Sequence, residues 1–181
     1  MGKLSVLILS ASPSLDSLSL SCALEFSKKI SSKKAGVMSV CKYKISSCRG
    51  CRSCDTRRCA LRDDFLKLNR RVKKADIVIT ASPVYFMGVP SYFKAFIDRH
   101  QQFWNREGKA KKMQGFIILT AGSDSAKVFA GAEREIRAMY AVNGIQTAGV
   151  LHLRATDLPG SGEKALKRSG RAAEKFLKGR S

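Results

Sequence analysis

The chain has 181 residues, 44% of them hydrophobic and 27% charged, which is the size of one globular domain with enough apolar material for a real core. Lys and Arg number 34 against 14 Asp and Glu, a formal charge of +20 at pH 7, so an anionic partner is expected. The longest apolar runs, such as residues 116–121, are strand-length, which excludes a bilayer-spanning helix.

The N-terminal MGKLSVLILSAS carries a short apolar stretch interrupted by serines, and it reads as a buried first strand over residues 4–9 rather than a signal peptide. The expected location is therefore cytoplasmic. Leu18, Leu20, Cys22, Leu24 to Phe26 and Ile30 mark a helix, and residues 37–41 a second strand. Asp63 or Asp64 is placed to cap a helix running through Lys73, with Phe65, Leu68 and Val72 on one face. Residues 76–80 make a third strand ending in Ser82-Pro83. A helix is expected from Tyr92 to Trp104, a fourth strand over 116–120, and a helix over 126–142 stopped at Asn143-Gly144. Residues 145–153 form a fifth strand and 162–177 a basic last helix. Strand and helix alternate five times, which implies a parallel sheet between two helical layers. Five strands of this size suit a three-layer α/β sandwich of the flavodoxin-like order 2-1-3-4-5. The expectation is a single domain, 1–181, with a cysteine-rich loop insertion at about 46–62.

In such a sheet, ligands bind beyond the carboxyl ends of the strands. The first loop, Ser10-Ala11-Ser12-Pro13-Ser14-Leu15-Asp16-Ser17-Leu18-Ser19, enters a helix, where hydroxyls and free N–H groups suit a phosphate. It contains neither G-x-G-x-x-G nor a P-loop. The second, Ser82-Pro83-Val84-Tyr85-Phe86-Met87-Gly88-Val89, is aromatic and suits a flat ring. The third, Thr120-Ala121-Gly122-Ser123, offers small residues for close backbone approach.

These stretches, SASPSLDSLS, then C-x2-C-x2-C-x4-C with DD, then ADIVITASPVYFMGVPSYFKAFIDR, resemble the flavodoxin-like NAD(P)H-dependent FMN reductases and, within them, the iron–sulfur flavoproteins. The resemblance implies FMN, its phosphate on the first loop at Ser12, Ser17 and Ser19 and its ring against Ser82, Pro83, Val84, Tyr85 and Phe86. Ser10, Ser14, Thr120 and Gly122 complete the candidate set. Relatives often carry Ser-Pro-Arg and Gly-Asn-Thr in the first loop. Here Ser14 stands for the arginine and Ser17-Leu18-Ser19 for the last three, which implies weaker phosphate anchoring.

Cys48, Cys51, Cys54 and Cys59 fall within twelve positions. In a reducing compartment such a run points to metal or catalysis before disulfides. Zinc, free thiols and a [4Fe–4S] cluster all remain open. Three successive intervals of three fit two zinc knuckles poorly and suit a cubane wrapped by one segment, with Cys59 as fourth ligand. Arg49, Arg52, Arg57 and Arg58 would offset an anionic cluster. Cys22 and Cys41 read as small buried hydrophobes.

Asp98 and Arg99, with Lys94 one turn earlier, read as charges of a solvated helix with an i,i+4 pair, His100 and His152 as structural, and Phe103 and Trp104 as core or interface. No G-x-S-x-G accompanies Ser12 or Ser82, which argues against a hydrolase. The function expected is an FMN-dependent oxidoreductase passing electrons between FMN and a [4Fe–4S] cluster or NAD(P)H, with no side chain required as catalytic acid or base. The partners implied are NAD(P)H, an acidic ferredoxin-like electron carrier and further copies of the chain, as a homodimer or homotetramer. One alternative is an FMN reductase lacking a cluster. Another, from the charge alone, is a basic nucleic-acid-binding module, but residues 41–74 hold only Tyr43 and Phe65 as aromatics and no binding signature.

Overall fold

The structure is a computed structural model describing residues 4–31, 35–56, 58–104 and 112–179. All five residues of β1 (Val6–Ser10) are buried, as expected of a strand covered on both faces. In chain order there follow α1 (Leu18–Ile30), β2 (Gly36–Ser39), the single turn α2 (Ser53–Thr56), α3 (Phe65–Lys74), β3 (Ile77–Pro83), α4 (Ser91–Asp98), β4 (Met113–Thr120), α5 (Ala130–Asn143), β5 (Ile145–Leu153) and α6 (Ser161–Lys178). The described strands form one sheet of order β2-β1-β3-β4-β5, every pair parallel. This is the flavodoxin-like α/β sandwich expected from the alternation.

Successive strand residues alternate between two cores. Leu7, Leu9, Val78, Ile117 and Leu119 pack with Phe65, Phe93, Phe96 and Ile136 on the face of α3, α4 and α5. Val6, Ile8, Ile77, Ile79 and Ile118 pack with Phe26 and Phe176 on the face of α1 and α6. There Ser169 Oγ donates to the Cys22 carbonyl at 2.7 Å. Cys22 is fully buried, and burial pushes its thiol up to about 11, so it serves as the small hydrophobe expected.

Three expectations are corrected. The second strand stops at Ser39, and Val40–Lys42 is a 3-10 turn. That turn carries Cys41 back over the first loop, where its thiol lies 3.6 Å from the carbonyls of Ser12 and Pro13, half-buried rather than in the core. The helix expected to reach Trp104 tightens after Asp98 into a 3-10 turn, Arg99–Phe103, where the Gln102 side-chain amide takes the Arg99 carbonyl at 3.0 Å. Of the two aromatics read as core or interface, Phe103 stacks on Phe65 at 6.0 Å and Trp104 is 63% exposed.

Candidate functional site

The register brings the carboxyl ends of β1, β3 and β4 to one edge: Ser10 lies beside Ala81, and Pro83 beside Thr120. The backbone ladder continues one residue past each strand, through Ala11 N–H to the Ala81 carbonyl, Val84 N–H to Thr120, and Ala121 N–H to Leu153, at 2.8–3.0 Å. The three candidate loops therefore leave the sheet from fixed, adjacent starting points.

Serine side chains fold the first loop. Ser10 Oγ accepts from Ser12 N–H, Ser12 Oγ from Ser14 N–H and Ser14 Oγ from Asp16 N–H, at 3.1–3.4 Å. Ser17 caps α1 by accepting from Leu20 N–H at 3.4 Å, with Ser19 Oγ 3.4 Å away, and the first turn of α1 carries no acidic residue. Ser10, Ser12 and Ser19 are buried, whereas Ser14 stands exposed at the lip. Sequence reading missed Tyr92, whose hydroxyl makes a short hydrogen bond to the Ala11 carbonyl beneath this loop. Burial, and then the neighbouring Cys41 and Tyr85, push its ionisation upward, so it stays a neutral donor.

The second loop is a tight hairpin turn. Tyr85 and Gly88 exchange both backbone hydrogen bonds at 2.9–3.0 Å, and Phe86 and Met87 between them have φ of 47° and 64°. Two bulky residues in the left-handed region cost about 1–3 kcal/mol each. Helix α5 holds the turn: Glu135 accepts from Val89 N–H at 3.3 Å, and Gly131 leaves room for the Met87 carbonyl, which a Cβ there would meet at 2.2 Å. Ser82 is buried and donates to the Pro83 carbonyl at 2.7 Å; Pro83 and Val84 are half-buried. Tyr85 is 48% exposed, and Phe86 at the tip is fully exposed. Neither Gly131 nor Glu135 was singled out from sequence, although a glycine inside a helical pattern is a signal of close approach.

In the third loop Thr120 is buried and Gly122 faces the Asp157 carboxylate, 2.1 Å from where a Cβ would stand. Ala155 N–H donates to the Ser123 carbonyl and Thr156 N–H to Ala121, tying this loop to the segment after β5. His152 stacks on Phe129 at 4.4 Å, and its Nε2 lies 2.8 Å from Glu133.

The cysteine segment bridges β2 and α3. Cys48 and Cys51 are exposed, Cys54 and Cys59 half-buried. Cys51 sits between Gly50 and Arg52, both at positive φ, with its sulfur 3.4 Å from Ser53 Oγ; the Ser53 hydroxyl and N–H can donate to the thiolate, and with Arg49 they hold the Cys51 pKa below its usual value. Burial, then Asp55 and the charges of Cys59 and Cys48, raise Cys54. Among the described residues no three His, Cys, Asp or Glu side chains are gathered closely enough to hold a metal. Arg57 lies outside the described residues.

A buried clamp closes the base of this segment and corrects the expectation of a solvated Arg99, which is only 2% exposed because its guanidinium turns inward to Asp63. Asp63 Oδ2 accepts from Arg99 Nη1 at 2.5 Å and from Ser46 N–H at 3.0 Å, Oδ1 accepts from Phe65 N–H, and Arg99 Nη1 also donates to the Ser46 carbonyl at 3.1 Å. Lys44 and Asp64 are joined the same way, N–H to Oδ2 and N–H to carbonyl. The two aspartates thus tie the ends of the loop together, and Asp64, at the cap position of α3, makes no side-chain cap. Burial alone would raise the Asp63 carboxyl, but Arg99 and the two N–H groups hold it below the usual range.

A family profile described as NADPH-dependent FMN reductase matches residues 4–152. The chain belongs to this family. Within curated relatives it is similar to an iron–sulfur flavoprotein of Archaeoglobus fulgidus, 39% identical over 89 residues, which are 49% of this chain and 40% of that protein. It is also similar to an iron–sulfur flavoprotein of Methanosarcina thermophila, 27% identical over 97 residues, 53% of this chain and 49% of that one. The matches span half or less of the length of these two proteins. Among solved structures, an NAD(P)H:quinone oxidoreductase from Methanothermobacter marburgensis superposes with a TM-score of 0.71 at 18% identity, covering 97% of this chain and 98% of that one. An FMN-dependent NADH-azoreductase from Bacillus anthracis, in complex with FMN, gives 0.65 at 15% identity, covering 96% and 99%. At these identities the likeness shows a shared fold. No described helix is long and apolar enough to cross a membrane.

Proposed function

We propose that this member of the FMN reductase family is a cytoplasmic, flavin-dependent oxidoreductase that holds FMN across its first and second loops. It takes electrons from NAD(P)H or from an acidic, ferredoxin-like carrier. The observation that carries the reading is the first loop. The Ser12, Ser14 and Ser17 oxygens already accept backbone N–H bonds, which leaves their O–H groups to donate, and the uncrowded N-terminus of α1 has no carboxylate in its first turn. Such a donor set fits a phosphate monoester. Ser10 stiffens the turn, Ser19 joins Ser17, and the edges of Pro83, Val84, Tyr85 and Phe86, with the backbone at Thr120 and Gly122, border a flat ring. FMN, when bound, accepts two electrons and releases them singly or in pairs. The chain's own part is to anchor the phosphate, orient the ring and leave one side open to a partner.

The proposal extends to a [4Fe–4S] cluster on Cys48, Cys51, Cys54 and Cys59, supported by their spacing and by the similarity to proteins named iron–sulfur flavoproteins. The thiols as they stand are not gathered, so no electron step is routed through a cluster. That same observation favours a second reading, a reductase without one. The remaining elements of the proposal are one domain over residues 1–181, the 46–62 segment as its insertion, and a homodimer or homotetramer.

Titrating apo-protein with FMN tests the first claim. Fluorescence should be quenched on binding, Ser17→Ala should weaken affinity roughly tenfold or more through a lost bond to a charged group, and Tyr85→Ala should weaken it further. Absent quenching, or variants identical to wild type, would overturn it. Anaerobic reconstitution tests the cluster: Cys54→Ala should lose iron while Cys41→Ala keeps it. An FMN-bound protein that takes up no iron selects the second reading.

A further inference from the structure

Beyond the three loops, a 270 Å³ cavity opens where β5 passes into α6, with Leu153, Arg154, Ala155, Lys164, Ala165 and Arg168 in its lining. Its floor is apolar, with Leu153 and Ala165 buried, and its rim is cationic. We propose that this cavity is a second nucleotide subsite that takes an adenosine phosphate, the flat base on the apolar floor and the phosphate among Arg154, Lys164 and Arg168. The inference deepens the flavin reading and rests on it for what brings a dinucleotide here.

Three observations support it. First, the cavity adjoins the candidate flavin site. Its lining residue Ala155, and Thr156 after it, are hydrogen-bonded to the third loop, and Leu18, next to the α1 cap, has its Cδ1 4.0 Å from where a Cβ on Gly162 in the first turn of α6 would stand. A dinucleotide with one half on the loops would therefore carry its other half into this cavity. Second, the volume lies just below the range of about 300–1,000 Å³ typical of whole-ligand pockets, which suits half a dinucleotide better than all of one. Third, the charges suit an anion. Arg168 Nη2 donates to the His152 carbonyl at 3.0 Å and Arg154 Nη1 to the Asp124 carbonyl at 3.1 Å, which steadies both guanidinium groups while leaving other N–H groups to donate. Lys164 is exposed, and Gly160, the cap residue of α6, makes no side-chain cap; in the first turn the Ser161 N–H is taken by the Leu158 carbonyl at 3.1 Å. Acidic groups also lie nearby: Asp124 is 3.8 Å from Arg154, Asp157 faces Gly122, and Glu163 stands in the first turn of α6. None of the three lines the cavity.

Isothermal titration of FMN-loaded protein with 2′,5′-ADP and with 5′-ADP tests the subsite. Binding is expected, and the Arg154→Gln, Lys164→Gln, Arg168→Gln triple variant should weaken it at least about tenfold with FMN affinity unchanged. Since Arg168 also holds the His152 carbonyl, the single Lys164→Glu variant, which breaks no bond within the fold, should show the same direction. Two further arms identify the source of the adenosine. A KM for NADPH below that for NADH, lost in the triple variant, assigns it to the nicotinamide donor. An affinity for FAD above that for FMN, lost in the same variant, assigns it to the flavin. No binding of either ADP to protein that does bind FMN, or binding indifferent to all these substitutions, overturns the subsite and leaves the flavin reading standing. Binding of ADP by protein that never binds FMN upholds the subsite and overturns the flavin reading.

Discussion

Arg99 and Asp63 lie 36 positions apart, yet their side chains meet at 2.5 Å with only 2% and 8% exposure. Removing one member of such a pair strands the other charge, which typically costs about 3–5 kcal/mol. Asp63→Ala should lose stability of that order in urea unfolding, whereas Asp63→Asn, which can still accept hydrogen bonds, should lose less. Equal midpoints for Asp63→Ala and wild type would mean that the clamp is not formed. Beside this pair, Phe65 and Phe96 enclose the His100 ring edge-on, and burial brings its pKa down to about 4. With Nδ1–H donating to the Phe96 carbonyl, the neutral ring needs the Asn69 side chain to present its NH2 group to Nε2. Above pH 6.5 the ring is neutral folded or unfolded and contributes nothing to pH dependence. As pH falls from 6.5 toward 4, the unfolded chain takes a proton that the folded one refuses, and stability should decline by up to about 3 kcal/mol. His100→Gln should flatten that limb of a pH series of urea midpoints, and a limb unchanged by the substitution would place its origin elsewhere.

At the scale of elements, α5 governs the second loop through Gly131, which faces the Met87 carbonyl, and Glu135, one turn further on. Because backbone blocks the Cβ on one side and the helix fixes it on the other, Gly131→Ala must push the turn outward. We expect FMN affinity to fall about tenfold with the fold kept, read by the same quenching titration together with circular dichroism; unchanged affinity would detach the turn from the site. The sheet and its order were legible in the sequence because each strand is a short apolar run and each helix an apolar stripe, so local pattern alone assigned them. The three loops were legible because parallel topology sends ligands to one edge. What the sequence hid are the contacts between distant segments: Asp63 with Arg99, Met87 with Gly131, Tyr92 with Ala11, and Cys41 over the first loop. Each joins residues that no local period relates. The aspartate pair shows this plainly, since an acid before an apolar-periodic stretch signals a helix start: one Asp63 oxygen does take the Phe65 N–H there, while its other oxygen and that of Asp64 turn back to close the preceding loop.

For the whole molecule the clamp also shapes the electrostatic field. Residues 41–74 hold twelve cations (Lys42, Lys44, Arg49, Arg52, Arg57, Arg58, Arg62, Lys67, Arg70, Arg71, Lys73, Lys74) against Asp55, Asp63 and Asp64. Every one of these cations among the described residues is exposed, while the Asp63 side chain is buried against Arg99 from outside the stretch. The surface around the cysteines is therefore more basic than the local count suggests. A field of one sign steers an oppositely charged protein and would bring its redox centre toward the cysteine segment and the candidate flavin loops. Such steering weakens as the Debye length shrinks from about 10 Å at 0.1 M salt to about 3 Å at 1 M. Electron transfer from a reduced, acidic ferredoxin, followed by stopped-flow absorbance, should accordingly slow by at least about tenfold over that range. Arg49→Glu with Arg58→Glu should slow it at low salt and reduce the remaining salt dependence, because both side chains are exposed beside the cysteines. NAD(P)H-driven turnover serves as the internal control, since a small donor needs no docking face and should respond far less to either change. Rates with ferredoxin that ignore both salt and charge reversal would remove the docking role from this surface.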